Sequence, residues 1–239
     1  MIDKPATESA PRRVLILGDS AVGADLARRL AACPEFIPCL MPTGGDAGAG
    51  AGAASPAPAG PGDLLGPIRA AAAMVLATDP WAVRLTAAAA DVAAALGRPC
   101  LRLLVPAWRP GPCDRWIAVA DPRRAAGAIL RHGLRCPLVV SGALSDAALA
   151  ALRGCRPVRT GPDAAAAALS GHPGIDSVVM RNQGGSGGLA LLQAARQRAL
   201  PVIMLGRPEQ PVAADAGSAA EAFDRIREKL LLELPSRVA

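Results

Sequence analysis

Val14-Leu15-Ile16-Leu17-Gly18-Asp19-Ser20-Ala21-Val22-Gly23 is the stretch that decides the fold: an unbroken apolar run, a turn opened by glycine, and a helical continuation over about 23–32. Consecutive apolar side chains leave no polar face for water, so the run suits a strand covered on both faces, as in a parallel sheet. Strand, turn and helix in that order make the first half of a βαβ unit.

The same order recurs along the chain. Strands are expected at 74–78, 100–104, 116–119, 138–141, 177–180 and 202–205, and helices at about 82–96, 122–131, 146–152 and 188–199. Leu85, Ala89, Val92 and Leu96 stand at helical spacing, and Gly97-Arg98-Pro99 ends their helix. Pro106, Pro110 and Pro112 make 105–115 unsuitable for sheet or helix, so the domain boundary is expected there. The expected fold is therefore α/β, with two Rossmann-like domains at 1–108 and 109–239, each a parallel sheet flanked by helices. Ser218 and Glu221 read as a capping box, and Phe223, Ile226, Leu230 and Leu234 form one apolar face, expected to pack on the second sheet. Between 43 and 63 the Gly/Ala/Pro composition favours neither element, which reads as a flexible surface loop or as a mobile lid.

Composition narrows the function. Of 239 residues 51% are hydrophobic, enough for packed cores, yet only 2% are aromatic, so Ala, Leu and Val must fill them. The polar N-terminal stretch carries no apolar signal region, and no run reaches the roughly 18 apolar residues of a spanning helix, so a cytoplasmic protein away from membranes is expected. Six cysteines without a C-x-x-C pair and two distant histidines give no metal-ligand pattern. The charge of +6 is spread as single arginines without a basic run or aromatic stripe, which favours an anionic small molecule over nucleic acid. Monomer or weak homo-oligomer is left open.

Four strand ends are candidate binding turns, because open α/β sheets gather ligands at the carboxyl ends of their strands. At Gly18-Asp19-Ser20, backbone N–H groups and a helix N-terminus can face a phosphate or carboxylate; an ordinary tight turn is the alternative. Thr78-Asp79-Pro80 ends a buried strand, where Pro80 can start the following helix and Thr78 and Asp79 would face the cleft, with helix capping as their alternative. Arg181-Asn182-Gln183-Gly184-Gly185-Ser186-Gly187-Gly188 joins four glycines to a planar cation, and its alternative is a merely flexible loop. Ser141-Gly142 is a lesser site, equally well read as a turn. No Ser/His/Asp, Cys/His or paired-acid arrangement accompanies them, so no catalytic side chain is assigned. A nicotinamide cofactor, which brings its own reactivity, suits such a chain.

Ala77-Thr78-Asp79-Pro80-Trp81-Ala82 resembles the A-T-H-P-F-A element of precorrin-6A reductases. Pro99-Cys100-Leu101-Arg102-Leu103 is similar to the family's P-x-L-R-L, and 174–185 to its G-I-D-x-L-V-x-K-N-S-G-G; Pro106-Ala107-Trp108, 116–119 and 200–208 agree as well. The resemblance spans most of 13–208. It implies a cytoplasmic reductase of cobalamin synthesis that reduces a double bond of precorrin-6A with hydride from NADPH, NADH being the alternative. It also implies that both ligands lie in a cleft between two Rossmann-like domains, with Gly18, Asp19, Ser20, Thr78, Asp79, Pro80, Arg181, Asn182, Gly184 and Gly185 at the binding turns. Arginine excess would then meet the carboxylates of an anionic tetrapyrrole.

The chain departs from the pattern. Asp79 stands for His, Arg181 for Lys and Gln183 for Ser. The family's strand and loop after the first helix read as dissolved into the Gly/Ala/Pro tract, and a G-P-F segment is replaced by a short connection at His172-Pro173. A divergent member is expected, with a non-catalytic tetrapyrrole- or nucleotide-binding paralogue as the alternative.

Overall fold

A computed structural model describes residues 10–43 and 61–231. Most of the Gly/Ala/Pro tract, and the Leu234 end of the last apolar face, lie outside these residues. Two compact units divide the chain, 1–105 with 210–239 and 106–209.

In the first unit, β1 (Arg12–Leu17), β2 (Phe36–Met41), β3 (Ala73–Leu76) and β4 (Cys100–Arg102) form a parallel sheet in the order β2-β1-β3-β4. Its helices are α1 (Ala21–Ala31), α2 (Pro61–Ala70), α3 (Val83–Ala95) and α8 (Ala219–Leu231). Val14 and Ile16 face one core with Leu26 and Leu30 of α1, while Leu15 and Leu17 face another with Leu64 and Ile68 of α2. The opening apolar run is thus buried on both sides.

In the second unit the sheet order is β5-β9-β8-β6-β7, from β5 (Arg115–Val119), β6 (Pro137–Val140), β7 (Val158–Thr160), β8 (Ser177–Arg181) and β9 (Pro201–Leu205), all parallel. Its helices are α4 (Pro122–Arg131), α5 (Asp146–Ala150), α6 (Ala165–Gly171) and α7 (Leu189–Gln197). The order β7-β6-β8-β9 repeats β2-β1-β3-β4, so β6 corresponds to β1 and β8 to β3, with β5 added at the edge. In each unit the chain reverses its direction across the sheet at one place: between β1 and β3, and between β6 and β8. That switch point is where a ligand crevice forms in open α/β sheets.

Three expectations need correction. The strand after α1 is not dissolved: β2 lies at the edge of the sheet, where Pro38 can be accommodated because one side of an edge strand needs no donor. Pro80 does not begin a helix; Asp79–Ala82 is a turn closed by Ala82 N donating to Asp79 O at 2.9 Å, and α3 starts at Val83. The last helix does not pack on the second sheet. Ala222, Ile226 and Leu230 join the β1, β3 and α1 core, and Phe223 meets Phe36 edge to face at 6.4 Å. An apolar face cannot name the sheet that covers it. The returning segment is fastened first, with Asp215 N donating to Arg102 O at 2.9 Å and Leu104 N to Ala216 O at 2.9 Å. Ile226→Ala is accordingly expected to lower stability by about 2–4 kcal/mol in denaturant unfolding of the full chain. A loss below about half a kcal/mol would contradict this packing.

Candidate functional site

Gly18 ends β1 at φ +132°, and a Cβ there would lie 2.3 Å from the Ala77 carbonyl oxygen just past β3. Only glycine permits that approach. Ser20 caps α1, its Oγ accepting from Gly23 N at 3.2 Å, and a Cβ on Gly23 would already touch Ala77 Cβ at 3.0 Å. Gly18, Ser20 and Gly23 therefore stand at the three glycine positions of G-x-G-x-x-G, with the turn and helix-packing glycines present and serine at the middle one. Asp19 holds the end of β2 instead: its Oδ2 accepts from Thr43 N and from Thr43 Oγ1, both at 2.9 Å.

Thr78 is buried and its hydroxyl is engaged internally. Thr86 Oγ1 donates to Ala82 O at 2.8 Å, so in the 2.7 Å contact between the two hydroxyls Thr78 is the donor. Arg102, fully buried on β4, donates to Thr78 Oγ1 at 2.8 Å, Thr78 O at 3.2 Å and Leu76 O at 2.9 Å. Asp79 Oδ1 accepts from Trp81 N at 2.7 Å, and Pro80 O accepts from Gln210 Nε2 at 3.0 Å. Neither Thr78 nor Asp79 caps α3, whose cap position is Ala82. These turns, at 18–20 and 78–80, meet at the first switch point.

At the second switch point Ser141 follows β6 and Arg181 ends β8. Ser141 N donates to Thr160 O at 2.9 Å, and Gly142 takes φ +75°. The Arg181 guanidinium lies against Gly142, where a Cβ would be 3.0 Å from Nη1. Ser141, Gly142 and Arg181 are thereby brought together. Asn182 is buried and serves the main chain: Trp108 N donates to its Oδ1 at 2.8 Å and its Nδ2 donates to Trp108 O at 2.9 Å. Gly184 and Gly185 take φ of +73° and +68°, and a Cβ on Gly184 would lie 2.1 Å from Pro106 O. The loop is held in a defined shape, which a purely flexible connection would not need. Arg207 and Trp108, which lie in segments that agree with the family pattern but to which sequence reasoning assigned no site role, hold it by donating to Gln183 O and Gly185 O.

Among the described residues no group of three or more His, Cys, Asp or Glu could hold a metal, and no helix is long and apolar enough to cross a membrane. The six cysteines are unpaired with one another. Burial, with the Asp215 charge adding to it, pushes the Cys100 thiol up to about 11. Only about one thiol in a thousand is then thiolate at pH 8, and the thiolate is the nucleophile. A thiol reagent at that pH is expected to label exposed Cys113 first and Cys100 last; equal rates would contradict it.

The family profile "Precorrin-6x reductase CbiJ/CobK" matches residues 13–152, more than half of the chain. The precorrin-6A reductase of a Sinorhizobium species is 30% identical over 240 residues, covering 90% of this chain and 92% of the relative. That of Mycobacterium tuberculosis is 31% identical over 263 residues, covering 94% and 99%. The chain belongs to the precorrin-6A reductase family. Members of that family are oxidoreductases of cobalamin biosynthesis. A solved structure described as CobK precorrin-6A reductase superposes with a TM-score of 0.74 at 23% identity, covering 91% of this chain and 96% of its own, and shares the fold of two parallel sheets flanked by helices.

Proposed function

We propose that this member of the precorrin-6A reductase family is a cytoplasmic NADPH-dependent reductase acting on a carbon–carbon double bond of precorrin-6A or its cobalt form, bound as a tetrapyrrole polyanion. The observation that carries the reading is the shaped turn at 181–185. It sets a cation and left-handed glycines beside Ser141 and Gly142 at a topological switch point.

A dinucleotide phosphate fits this turn by its donor chemistry. The backbone N–H groups of Gly184, Gly185 and Ser186 donate to no other described residue, and Arg181 adds a planar cation. The first-unit turn fits less closely, because Ser20 puts a Cβ where the middle glycine lets a backbone approach pyrophosphate. When bound, a reduced nicotinamide supplies the hydride. The chain's own part is to bind and orient: Arg181 and the loop N–H groups hold an anion, and Ser141 offers a hydroxyl. The turns at 18–20 and 78–80 act as the first unit's binding segments.

Purified protein mixed with NADPH and precorrin-6A is expected to consume the reduced cofactor, faster than with NADH. Absence of both turnover and binding would overturn the reading. The second reading, a non-catalytic paralogue, rests on Asp79 where the family pattern has His. It predicts binding of both ligands without hydride transfer, and gain of turnover in Asp79→His.

A further inference from the structure

Arg207, just beyond β9, reaches across to the loop after β8. Its Nε donates to Asn182 O at 2.9 Å, and a terminal nitrogen donates to Gln183 O. The Trp108 indole Nε1 donates to Gly185 O at 2.7 Å. The peptide bonds here are trans, so each N–H points opposite to the carbonyl of its own peptide. With Gln183 O turned to the guanidinium, the Gly184 N–H is turned away from it. With Gly185 O turned to the indole, the Ser186 N–H is likewise turned away. The flanking amides are already engaged, Asn182 N by Leu205 O, Gln183 N by Arg181 O and Leu189 N by Ser186 O. The amides of Gly184 and Ser186 donate to no described residue.

The first unit carries the same device at the corresponding place. Arg102 ends β4 and donates to Leu76 O and Thr78 O at the end of β3, and β4 stands to β3 as β9 stands to β8. A guanidinium directed at main-chain carbonyls of the neighbouring strand end occurs in both sheets.

We propose that Arg207 and Trp108 are positioning residues: they take the carbonyls on either side of Gly184 and so preset the N–H groups of Gly184 and Ser186 as donors to an anionic oxygen group of a ligand. Preset donors bind without the cost of reorienting peptides at the moment of binding. The inference rests on the proposed function for its ligands. A cofactor phosphate and a tetrapyrrole carboxylate share the required chemistry.

The test uses the full chain with Trp108→Phe, which keeps an aromatic ring but removes the indole donor together with the outer ring atoms that lie over Gly188, and with Arg207→Met and Arg207→Lys. NADPH and precorrin-6A are titrated separately, and melting curves are recorded. The expected result is an affinity about tenfold weaker for whichever ligand places its anion here, and nearly unchanged for the other. Arg207→Lys falls between wild type and Arg207→Met, and the loss for that one ligand exceeds what any shift of the melting midpoint gives for the other. Unchanged affinity for both ligands in folded Arg207→Met and Trp108→Phe would overturn the proposal. So would equal losses for both ligands that follow a lowered melting midpoint, since a merely structural residue gives that. If Arg207→Met does not fold, Trp108→Phe decides alone. Wild-type protein that binds neither ligand overturns the functional reading first, and this assignment with it.

Discussion

A Gly18→Ala chain is expected to lose about 3–5 kcal/mol of unfolding free energy, from backbone strain and from overpacking together. The residue sits at φ +132°, a conformation that side chains rarely adopt. The new Cβ would meet Ala77 O at 2.3 Å and Thr78 N at 2.7 Å, and both are backbone atoms that cannot rotate aside. Relief requires β1 and β3 to separate where Ala77 N donates to Leu17 O at 2.8 Å, which opens the first switch point as well. Gly97→Ala is the control. Gly97 also has positive φ, +60°, but nothing lies within 4 Å of the place its Cβ would take, so only about 1 kcal/mol is expected from the backbone. Denaturant unfolding of both variants separates packing from strain, and equal losses would remove the steric argument.

Arg181→Met is expected to lower kcat/KM about 10- to 150-fold. That range corresponds to about 1.5–3 kcal/mol for a hydrogen bond to a charged group. Arg181 ends β8 and lies against Gly142, so its guanidinium is held at the second switch point by a neighbour without a side chain. Arg181→Lys keeps the charge and is expected to retain part of the activity, though not the planar two-point geometry. Gly142→Ala should reproduce part of the loss, because its Cβ would lie 3.0 Å from Nη1 and must displace the guanidinium. Steady-state kinetics of the three variants check this. An Arg181→Met enzyme within about twofold of wild type would show that Arg181 serves the fold alone.

Scattered single arginines suggested carboxylate contacts, yet several donate to main-chain carbonyls: Arg102 to Leu76 and Thr78, Arg198 to Leu169, Pro173 and Ile175, Arg207 to Asn182 and Gln183. A guanidinium has five donors and no preference visible in sequence between a ligand oxygen and a carbonyl of its own chain. Glycines are similarly two-sided. Gly18 and Gly184 are required by close approach to Ala77 O and Pro106 O, respectively, rather than by a ligand alone.

What the sequence determined by itself was the parallel α/β plan and the central strands. Those strands are apolar at consecutive positions because both faces are covered, and that signal is local. The capping serine was legible too, since Ser218 Oγ accepts from Glu221 N at 3.2 Å, although the Glu221 carboxylate turns to Gly217 N. The tertiary structure alone decided the edges and the returns. β2 and β7 carry Pro38 or only three residues, and α2 keeps Gly66 and Pro67 within its span because Leu64 and Ile68 are buried. It also decided that α8 belongs with the first sheet and that Arg102 and Arg207 face carbonyls. Each of these depends on partners between about twenty and more than a hundred positions away, and residue order holds no record of which distant surface will exclude the water.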